Sequence, residues 1–306
     1  MFNEFKQYRI GVLAGGPSSE REISLKSGKA VLNALTKSGF TAVFLDVNEK
    51  NFASAVADAG IDLAFIALHG RFGEDGTVQR MLEEIGLPYT GSGPEASRLA
   101  MDKILSKEAF AGAGLNVAGH AIVTDKSRIS DIEDRVPCVV KPRYEGSSVG
   151  LSVVHTRDAL KKSVLKARAF GEDVIVEDFI PGRELTVGVL DGAALPVVEI
   201  VPAEGVYDYA AKYNSSDTKY VCPANVAEDE YQRAQEAALA AHGTLGCRGF
   251  SRVDMRLTEA GDVFMLEVNT IPGLTERSLL PMAAKTAGLD FPGLCVKMLR
   301  SAVAGC

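Results

Sequence analysis

The first hundred residues alternate between short apolar runs and amphipathic segments, and this alternation limits the fold more than any other feature of the chain. The segments YRIGVLAGG, TAVFLDV and DLAFIALHG have the composition of strands. EREISLKSGKAVLNALTKSG between the first two has the pattern of an amphipathic helix, and ASAVADAG before the third predicts a short one. Strands that alternate with helices form a parallel sheet with helices on its faces. The sequence therefore predicts an N-terminal α/β domain over residues 1–98.

Two further units with α+β character are predicted after this domain. The helix MDKILSKEAFAGAG opens a central unit, residues 99–184, with the strands PCVVKPR, GLSVVHT and DVIVEDF around the helix RDALKKSVLKARAF. The C-terminal unit, residues 185–306, begins with the strands TVGVLDG and ALPVVEIV and continues through the helix EDEYQRAQEAALAAHGTLG to the hairpin GFSRVDMRLTEAGDVFMLEVN. A polar loop over residues 202–223 is longer than connectors usually are, which indicates a functional segment.

Charge and composition exclude several classes of function. The net charge of −7 argues against nucleic acid or an acidic membrane as a partner, since both require a basic face. No apolar run approaches the roughly 20 residues of a membrane span, and the first strand is not preceded by the apolar stretch of a signal peptide. The five scattered cysteines lack CxxC spacing, so we expect free thiols in a reducing cytoplasm and no zinc site.

Four polar side chains are predicted to share one face of the C-terminal hairpin. Arg252 and Asp254 are two residues apart on one strand, and Glu267 and Asn269 on the other. A turn between Ala260 and Gly261 places Asp254 opposite Glu267 and Arg252 opposite Asn269. Two opposed carboxylates repel each other unless a cation lies between them, and an all-oxygen set suits Mg²⁺ or Mn²⁺. The alternative is an exposed salt-bridge cluster that uses the two hairpin arginines.

A glycine- and serine-rich loop follows the apolar strand that ends at Lys141. Gly146-Ser147-Ser148-Val149-Gly150 can bring backbone N–H groups and two hydroxyls to phosphate oxygens. The alternative is an ordinary flexible hairpin. Neither GxxxxGK[ST] nor GxGxxG occurs, so a Walker-type loop and a Rossmann dinucleotide site are not supported.

Three more segments carry candidate ligand-binding groups. In IVEDFIPGREL, Glu177 or Glu184 can accept hydrogen bonds from an adenine amino group or ribose hydroxyls, or the segment is only a polar linker. Glu20 lies where the first strand becomes a helix, and it either caps that helix or faces a substrate ammonium. His69 ends the third strand, where a buried structural histidine is an equally good interpretation.

Together these segments resemble the D-alanine–D-alanine ligases of the ATP-grasp superfamily. The resemblance covers essentially the whole chain, in the family's order, through GGPSSEREISL, LHGRFGEDG, MDK, VKPRYEGSSVG, EDFIPGREL, YDYAAKYNSSDTKY, FSRVDMRL and LEVNTIPGLTERSLLP. It implies a pre-ATP-grasp domain with a parallel sheet, followed by a two-lobed ATP-grasp fold with ATP between the lobes. Only Phe72 and the pair Arg143-Tyr144 fall where the family is variable.

The resemblance also implies roles for individual residues at the nucleotide. The lysines that contact its phosphates are Lys103, Lys141 and, when the long loop closes, Lys212. The loop over the phosphates consists of Glu145, Gly146, Ser147, Ser148, Val149 and Gly150. The adenosine pocket is lined by Glu177, Phe179, Ile180 and Glu184. Two Mg²⁺ ions, or Mn²⁺, are held by Asp254, Glu267 and Asn269.

For the amino acids, the resemblance assigns the ammonium of the first D-alanine to Glu20, with His69 nearby. Ser278 and Leu279 would hold the carboxylate of the second D-alanine. Arg252 and the Gly273 amide would stabilise the tetrahedral oxyanion.

The implied reaction has two steps, in which ATP activates one D-alanine as an acyl phosphate and a second D-alanine displaces the phosphate. Tyr213, hydrogen-bonded in the family with Ser147 and Glu20, accompanies dipeptide rather than D-alanyl-D-lactate formation. A homodimer, K⁺ activation, and a place in bacterial cytoplasm upstream of peptidoglycan cross-linking are further expectations. The alternatives are a ligase for D-lactate, D-serine or other amino acids, or a catalytically inactive ATP-binding protein.

Overall fold

The computed structural model describes residues 5–127, 129–202 and 218–302. Its N-terminal sheet is parallel and three-stranded, in the order β2-β1-β3. The strands are β1 (Arg9–Gly15), β2 (Thr41–Val47) and β3 (Leu63–Ile66). The helices of this region are α1 (Arg21–Lys37), α2 (Phe52–Ala59), α3 (Thr77–Glu84) and α4 (Pro94–Met101). The predicted alternation of strands and helices is confirmed. β3 is shorter than predicted and ends at Ile66, so His69 lies in the following loop.

The central sheet is four-stranded and antiparallel, in the order β5-β8-β6-β7. Its strands are β5 (His120–Val123), β6 (Cys138–Pro142), β7 (Ser152–Val154) and β8 (Val174–Asp178). Helix α6 (Arg157–Arg168) covers one face, where Leu160 and Val164 pack against Val140 and Val176. The loop that carries the two serines joins β6 to β7, so it stands at the end of a rigid, buried pair of strands.

The largest sheet runs β12-β11-β9-β13-β14-β4, with β10 paired to β9. Its strands are β4 (Asn116–Val117), β9 (Arg183–Leu190), β10 (Ala193–Ala194), β11 (Val198–Val201), β12 (Lys219–Val221), β13 (Phe250–Leu257) and β14 (Val263–Asn269). The segment ALPVVEIV, predicted as one strand, is divided between β10 and β11, because residues 195–197 leave the ladder. The remaining α-helices described are α5 (Lys103–Gly112), α7 (Glu228–Thr244), α8 (Leu279–Thr286) and α9 (Phe291–Leu299).

Helices pack on both faces of this sheet and connect it with the other units. Helices α5 and α7 cover one face in a shared apolar core. Helix α8 lies against β9 on the other face, and α9 packs on α8 and on α1. Leu280 of α8 and Leu294 of α9 share a core with Phe5 and Ile10 of the N-terminal domain. No helix in the described part of the chain is long and apolar enough to cross a membrane.

The three sheets fall largely within the three predicted ranges, and the division at 1–98, 99–184 and 185–306 stays a proposal. Both boundaries lie within regular elements, since α4 spans the first and β9 the second. Strand β4, from the central range, pairs in parallel with β14. The central and C-terminal units are therefore joined by backbone hydrogen bonds as well as by side chains.

Candidate active site

Two cavities meet where the three units come together. The first, of about 250 Å³, is lined by residues from the N-terminal domain and the C-terminal hairpin, including Glu20, His69, Arg252 and Asn269. The second, of about 130 Å³, lies between the central and largest sheets. Lys103 and Glu267 line both cavities. A molecule in one cavity can therefore come into direct contact with a molecule in the other at these two side chains.

The C-terminal hairpin has the predicted register at its polar end. Arg252 pairs with Asn269, and Asp254 pairs with Glu267. A bulge after Asp254 shifts the pairing by one residue, so Met255 lies opposite Met265, and the predicted turn position holds only approximately. Because the shift occurs beyond the polar residues, it does not move them to the other face of the sheet.

Asp254 is the most constrained carboxylate of the hairpin. Arg252 donates to it from Nε at 2.9 Å and from Nη2 at 2.7 Å. Thr186 Oγ1 donates at 2.6 Å and Asn269 Nδ2 at 3.1 Å. Only 7 % of Asp254 is exposed. This burial contradicts the alternative of an exposed salt-bridge cluster, and Arg256 makes separate contacts at Glu184.

The glycine loop is held in a conformation that L-residues rarely adopt. Ser147 and Ser148 both have positive φ, at 51° and 58°. Ser147 Oγ donates a hydrogen bond to Glu20 Oε1. A Cβ at Gly146 would lie 2.8 Å from Glu20 Oε2, so only glycine fits beneath this carboxylate. Ser147 thus ties the glycine loop to the N-terminal domain. A freely flexible hairpin would lack such a contact.

Glu20 itself makes no side-chain cap of helix α1. It is 8 % exposed and lines the first cavity. Glu20 therefore stands at the N-cap position of α1, but its carboxylate does not cap the helix and faces the cavity and the glycine loop instead.

Three lysines surround a buried glutamate at the second cavity. Lys141 Nζ lies 2.8 Å and Lys107 Nζ 3.1 Å from Glu177 Oε1. Burial opposes ionisation of Glu177, but the two ammonium groups outweigh it and lower its pKa to about 2. Lys103 Nζ donates to the Glu145 carbonyl at 2.6 Å and lies 3.8 Å from Glu267 Oε2. Burial lowers the pKa of Lys103, because it disfavours the charged form.

The other predicted nucleotide residues divide between the cavities. Glu145, Ser148, Val149, Phe179, Ile180 and Glu184 line the second cavity, and Gly146 and Ser147 line the first. Gly150 lies outside both linings, and a Cβ there would lie 2.9 Å from both Phe170 and Pro142. Phe179 and Ile180 belong to the segment between β8 and β9, so this segment forms part of the wall of the second cavity. A segment that served only as a polar linker would not need to line a cavity. Lys212 and Tyr213 lie outside the described residues.

His69 connects the N-terminal domain with the turn after β14. Its Nδ1 donates to the Ile271 carbonyl at 3.0 Å, so Nε2 accepts from Ser27 Oγ at 2.9 Å. Ser27 Oγ also accepts the Leu274 N–H at 3.3 Å. Burial lowers the pKa of His69, which is 4 % exposed. His69 thus lines the cavity as a neutral ring with both nitrogens bound to protein.

The turn at Pro272-Gly273 brings backbone to the cavity wall. A Cβ at Gly273 would lie 3.0 Å from Ser278 Oγ, which leaves little room for any side chain. Ser278 precedes α8, and its Oγ accepts the Thr275 N–H at 3.1 Å. Gly273, Ser278 and Leu279 all line the first cavity.

Comparisons with known proteins agree with this geometry. The D-ala D-ala ligase C-terminus model matches residues 110–300, and the D-ala D-ala ligase N-terminus model matches residues 47–92. The D-alanine–D-alanine ligase of Citrifermentans bemidjiense is 46 % identical over 98 % of this chain and 97 % of its own. That of Geobacter sulfurreducens is also 46 % identical, over 98 % and 96 %.

The chain belongs to the D-alanine–D-alanine ligase family.

Solved structures extend the match to the three-dimensional fold of the ligase. The D-alanine–D-alanine ligase of Bacillus anthracis complexed with ATP has a TM-score of 0.84 and 31 % identity, covering 97 % of this chain and 98 % of that one. The VanG D-Ala:D-Ser ligase of Enterococcus faecalis has a TM-score of 0.81 and 30 % identity, covering 96 % and 98 %. The predicted ATP-grasp fold is thereby confirmed.

The hairpin of the ligase has donors that fit a magnesium ion. In the described part of the chain no group of three or more His, Cys, Asp or Glu side chains could hold a metal. Asp254 and Glu267 offer two carboxylates and Asn269 an amide, all oxygen donors that suit Mg²⁺ or Mn²⁺. Magnesium normally keeps waters and takes substrate phosphates as its further ligands. The two carboxylates and one amide of the hairpin supply only part of a magnesium coordination shell, which leaves positions for water and for the phosphates of a bound nucleotide.

Two residues of the ligase site were missed by the sequence analysis. Glu74 lines the first cavity and accepts from Gly70 N at 2.7 Å and Ile271 N at 3.3 Å. Burial raises its pKa to about 8, and Glu20 adds to this effect. Lys107 is fully buried beside Glu177. The available signals were the acidic Glu74-Asp75 pair in the His69 loop, and the spacing of four residues that puts Lys107 on the same face of α5 as Lys103.

Proposed function

We propose that this protein joins two D-alanine molecules into D-alanyl-D-alanine and converts ATP to ADP and phosphate in the process, as a step in peptidoglycan precursor synthesis. The observation that carries the proposal is the junction of the two cavities at Lys103 and Glu267. The second cavity is lined by Lys103, Lys141 and part of the glycine loop, which suit phosphates, and the first by Glu20, Arg252 and Ser278, which suit the charged ends of amino acids. Through this contact a nucleotide's terminal phosphate would lie against an amino-acid carboxylate.

In the first step, a carboxylate oxygen of the first D-alanine bonds to the terminal phosphorus of ATP, and the bond to the ADP oxygen breaks. Glu20 holds the ammonium of this D-alanine, and Lys103 and Lys141 offset the negative charge of the phosphates. The Ser147–Gly150 loop covers the phosphates with backbone N–H groups. Repulsion between the anions is the obstacle to this step, and fixed cations are the means to overcome it.

In the second step, the amine of the second D-alanine attacks the acyl carbon, and phosphate leaves with one former carboxylate oxygen. Ser278 and Leu279 hold the carboxylate of the attacking molecule. Arg252 and the Gly273 N–H stabilise the oxyanion, and donors of this kind contribute about 3 kcal/mol each in well-studied enzymes. Arg252 lines the first cavity while it holds Asp254, which couples the acidic hairpin to the reacting carbon.

Asp254, Glu267 and Asn269 would hold magnesium or manganese, two ions being the family expectation. When bound, the metal draws charge from the phosphate oxygens and so makes phosphoryl transfer easier. We assign exclusion of the water that hydrolyses acyl phosphates to the 202–223 segment, of which Lys219–Val221 form β12, while Lys212 lies outside the described residues. K⁺ activation, a homodimer and a cytoplasmic location remain predictions from the family.

A second function, the ligation of D-alanine to D-serine, is favoured by the similarity to VanG. Ligation to D-lactate is a related possibility, against which Tyr213 is the sequence argument. Phosphate release should be measured with ATP and Mg²⁺ in the presence of D-alanine, L-alanine, D-alanine plus D-serine, or D-alanine plus D-lactate, with mass identification of each product. We expect D-alanyl-D-alanine as the main product, including in the mixed reactions. A dominant D-alanyl-D-serine or D-alanyl-D-lactate product would contradict the proposal, as would turnover with L-alanine alone.

A further inference from the structure

Lys107 is a charged residue that the proposed reaction does not use. Its side chain has no exposed surface, and it lines neither of the two cavities. Its Nζ lies 3.1 Å from Glu177 Oε1, and Lys141 Nζ approaches the same oxygen at 2.8 Å. Glu177 is 3 % exposed and lines the second cavity. One buried carboxylate therefore has two cations, one that lines the cavity and one that lies behind it.

The two lysines would respond differently to a bound nucleotide, since Lys141 lines the cavity and Lys107 does not. This step relies on the proposed function, in which Lys141 contacts the phosphates and Glu177 the adenosine. A lysine that turns toward phosphates weakens its hold on the carboxylate, and a buried carboxylate without a cation tends to take up a proton. Lys107 has no route to the phosphates from its buried position. It remains beside Glu177 whatever Lys141 does.

The charge of Glu177 matters because an ionised carboxylate only accepts hydrogen bonds, whereas a protonated one can also donate. A 6-amino purine such as adenine presents a donor at this position, and a 6-oxo purine such as hypoxanthine presents an acceptor. We propose that Lys107 is a positioning residue that keeps Glu177 an acceptor while Lys141 serves the phosphates, and thereby favours a 6-amino over a 6-oxo purine nucleotide.

The groups that act most strongly on the charge of Glu177 are lysines, although the acidic residues Glu145, Asp178, Glu184, Asp254 and Glu267 line the same cavity. The charged groups that face it are Lys103 and Lys107 from α5 and Lys141 from β6, and its ladder partner on β5 is His120. The low pKa of Glu177, set against the burial that opposes ionisation, agrees with an acceptor role. Burial lowers the pKa of Lys107 as well, so the pair depends on its own mutual attraction.

The test compares ATP with ITP, which carries a 6-oxo purine, in the D-alanine-dependent reaction. KM and kcat for both nucleotides should be measured for the wild type, Lys107→Met, Glu177→Gln and the double variant, with Lys161→Met as a control for loss of an exposed lysine. Glu177→Gln offers an amide that can donate or accept, so its preference for ATP should fall. We expect Lys107→Met to reduce the ATP-over-ITP ratio of kcat/KM by about tenfold or more, mainly through KM. Lys161→Met should keep the wild-type ratio.

The double variant keeps the test valid if Lys107→Met alone folds poorly, since it contains neither buried charge. Its ATP-over-ITP ratio should equal that of Glu177→Gln, because Lys107 acts only through the charge of Glu177. If Glu177→Gln has the wild-type ATP-over-ITP ratio, Glu177 does not contact the purine base. The assignment of Glu177 to the adenosine pocket in the proposed function would then be wrong as well. If Glu177→Gln does change the ATP-over-ITP ratio, two further results would each overturn the role of Lys107 and leave the proposed function intact. One is a wild-type ratio in Lys107→Met, and the other is a double variant whose ratio differs from that of Glu177→Gln.

Discussion

At the scale of single residues, the first cavity is marked by two carboxylates in one buried environment. Glu20 and Glu74 both line it, and the Glu20 carboxylate adds to the cost of ionising Glu74. Glu74 accepts two backbone N–H groups, from Gly70 and Ile271, so it also fixes the loops that carry His69 and Gly273. A substrate ammonium between the carboxylates would relieve their repulsion.

This environment predicts a measurable dependence of stability on pH. The pKa of Glu74 is about 8 in the folded protein and about 4.5 in the unfolded chain, so between these values the folded state binds more protons. Its contribution to the free energy of unfolding is therefore greatest below pH 4.5 and declines, by up to about 1.4 kcal/mol per pH unit, as pH rises to about 8. Glu74→Gln removes this decline.

The measurement is the difference in unfolding free energy between wild type and Glu74→Gln, by urea titration without ligand at several pH values from 5 to 9. Taking the difference cancels other groups such as His69. The wild type should lose stability relative to the variant as pH rises. A difference independent of pH would show that Glu74 is ionised throughout this range.

Asp254 provides a second residue-scale prediction. Asp254→Asn keeps the size of the side chain but removes one of the two carboxylates proposed to bind magnesium. We expect D-alanine-dependent ADP release to fall at least about a hundredfold, since charge stabilisation by a metal is worth several kcal/mol. Asp262→Asn, an exposed aspartate near the turn of the same hairpin, is the matched control and should retain activity. Activity of Asp254→Asn within a few-fold of the control would contradict the metal assignment.

Individual residues were predictable where the chemistry required a rare combination. The hairpin was assigned correctly because strand periodicity fixes which side chains share a face, and only one register keeps Arg252, Asp254, Glu267 and Asn269 together. Lys107 was not predicted because its spacing puts it on the same face of α5 as Lys103 but does not show that this face is buried. Its burial depends on β8, which lies about seventy residues away in the chain.

At the scale of elements, the turn after β14 is held by hydrogen bonds from two other segments. Ser27 on α1 accepts the Leu274 N–H and donates to His69, which in turn donates to the Ile271 carbonyl. These contacts fix the backbone on both sides of Gly273, the proposed oxyanion donor. The sequence indicated a functional turn through Pro272-Gly273, but it could not reveal a clamp that joins residues more than two hundred positions apart.

Ser27→Ala tests this clamp, because it leaves the Leu274 N–H and the His69 Nε2 without their partner. We expect kcat to fall about tenfold or more with little change in KM for ATP, since small displacements of catalytic groups have large effects on rate. Ser24→Ala is the matched control, a buried serine on the same helix that binds Gly15 and Ala67 instead. Both changes should cost about 1–3 kcal/mol of stability. Equal kcat values in the two variants would contradict a positioning role for the clamp.

At the scale of the whole molecule, the order of elements was predictable but the joining of the units was not. Alternating strands and helices specified the N-terminal parallel sheet, and apolar runs specified most later strands. The pairing of β4 with β14 and the packing of α8 and α9 on the N-terminal domain depend on long-range contacts without a local pattern. The division of ALPVVEIV into two strands belongs to the same class, since it is set by residues that leave the ladder between β10 and β11.

The meeting of the two cavities is the property of the whole molecule on which the account depends. If a nucleotide and D-alanine react across this junction, a carboxylate oxygen of D-alanine becomes bonded to phosphorus and leaves with the phosphate. The direct measurement uses D-alanine labelled with ¹⁸O in its carboxylate, incubated with ATP, Mg²⁺ and the protein, followed by mass spectrometry of the released phosphate. The acyl-phosphate mechanism predicts one ¹⁸O atom in the phosphate for each D-alanyl-D-alanine formed. Dipeptide formation with unlabelled phosphate would contradict it.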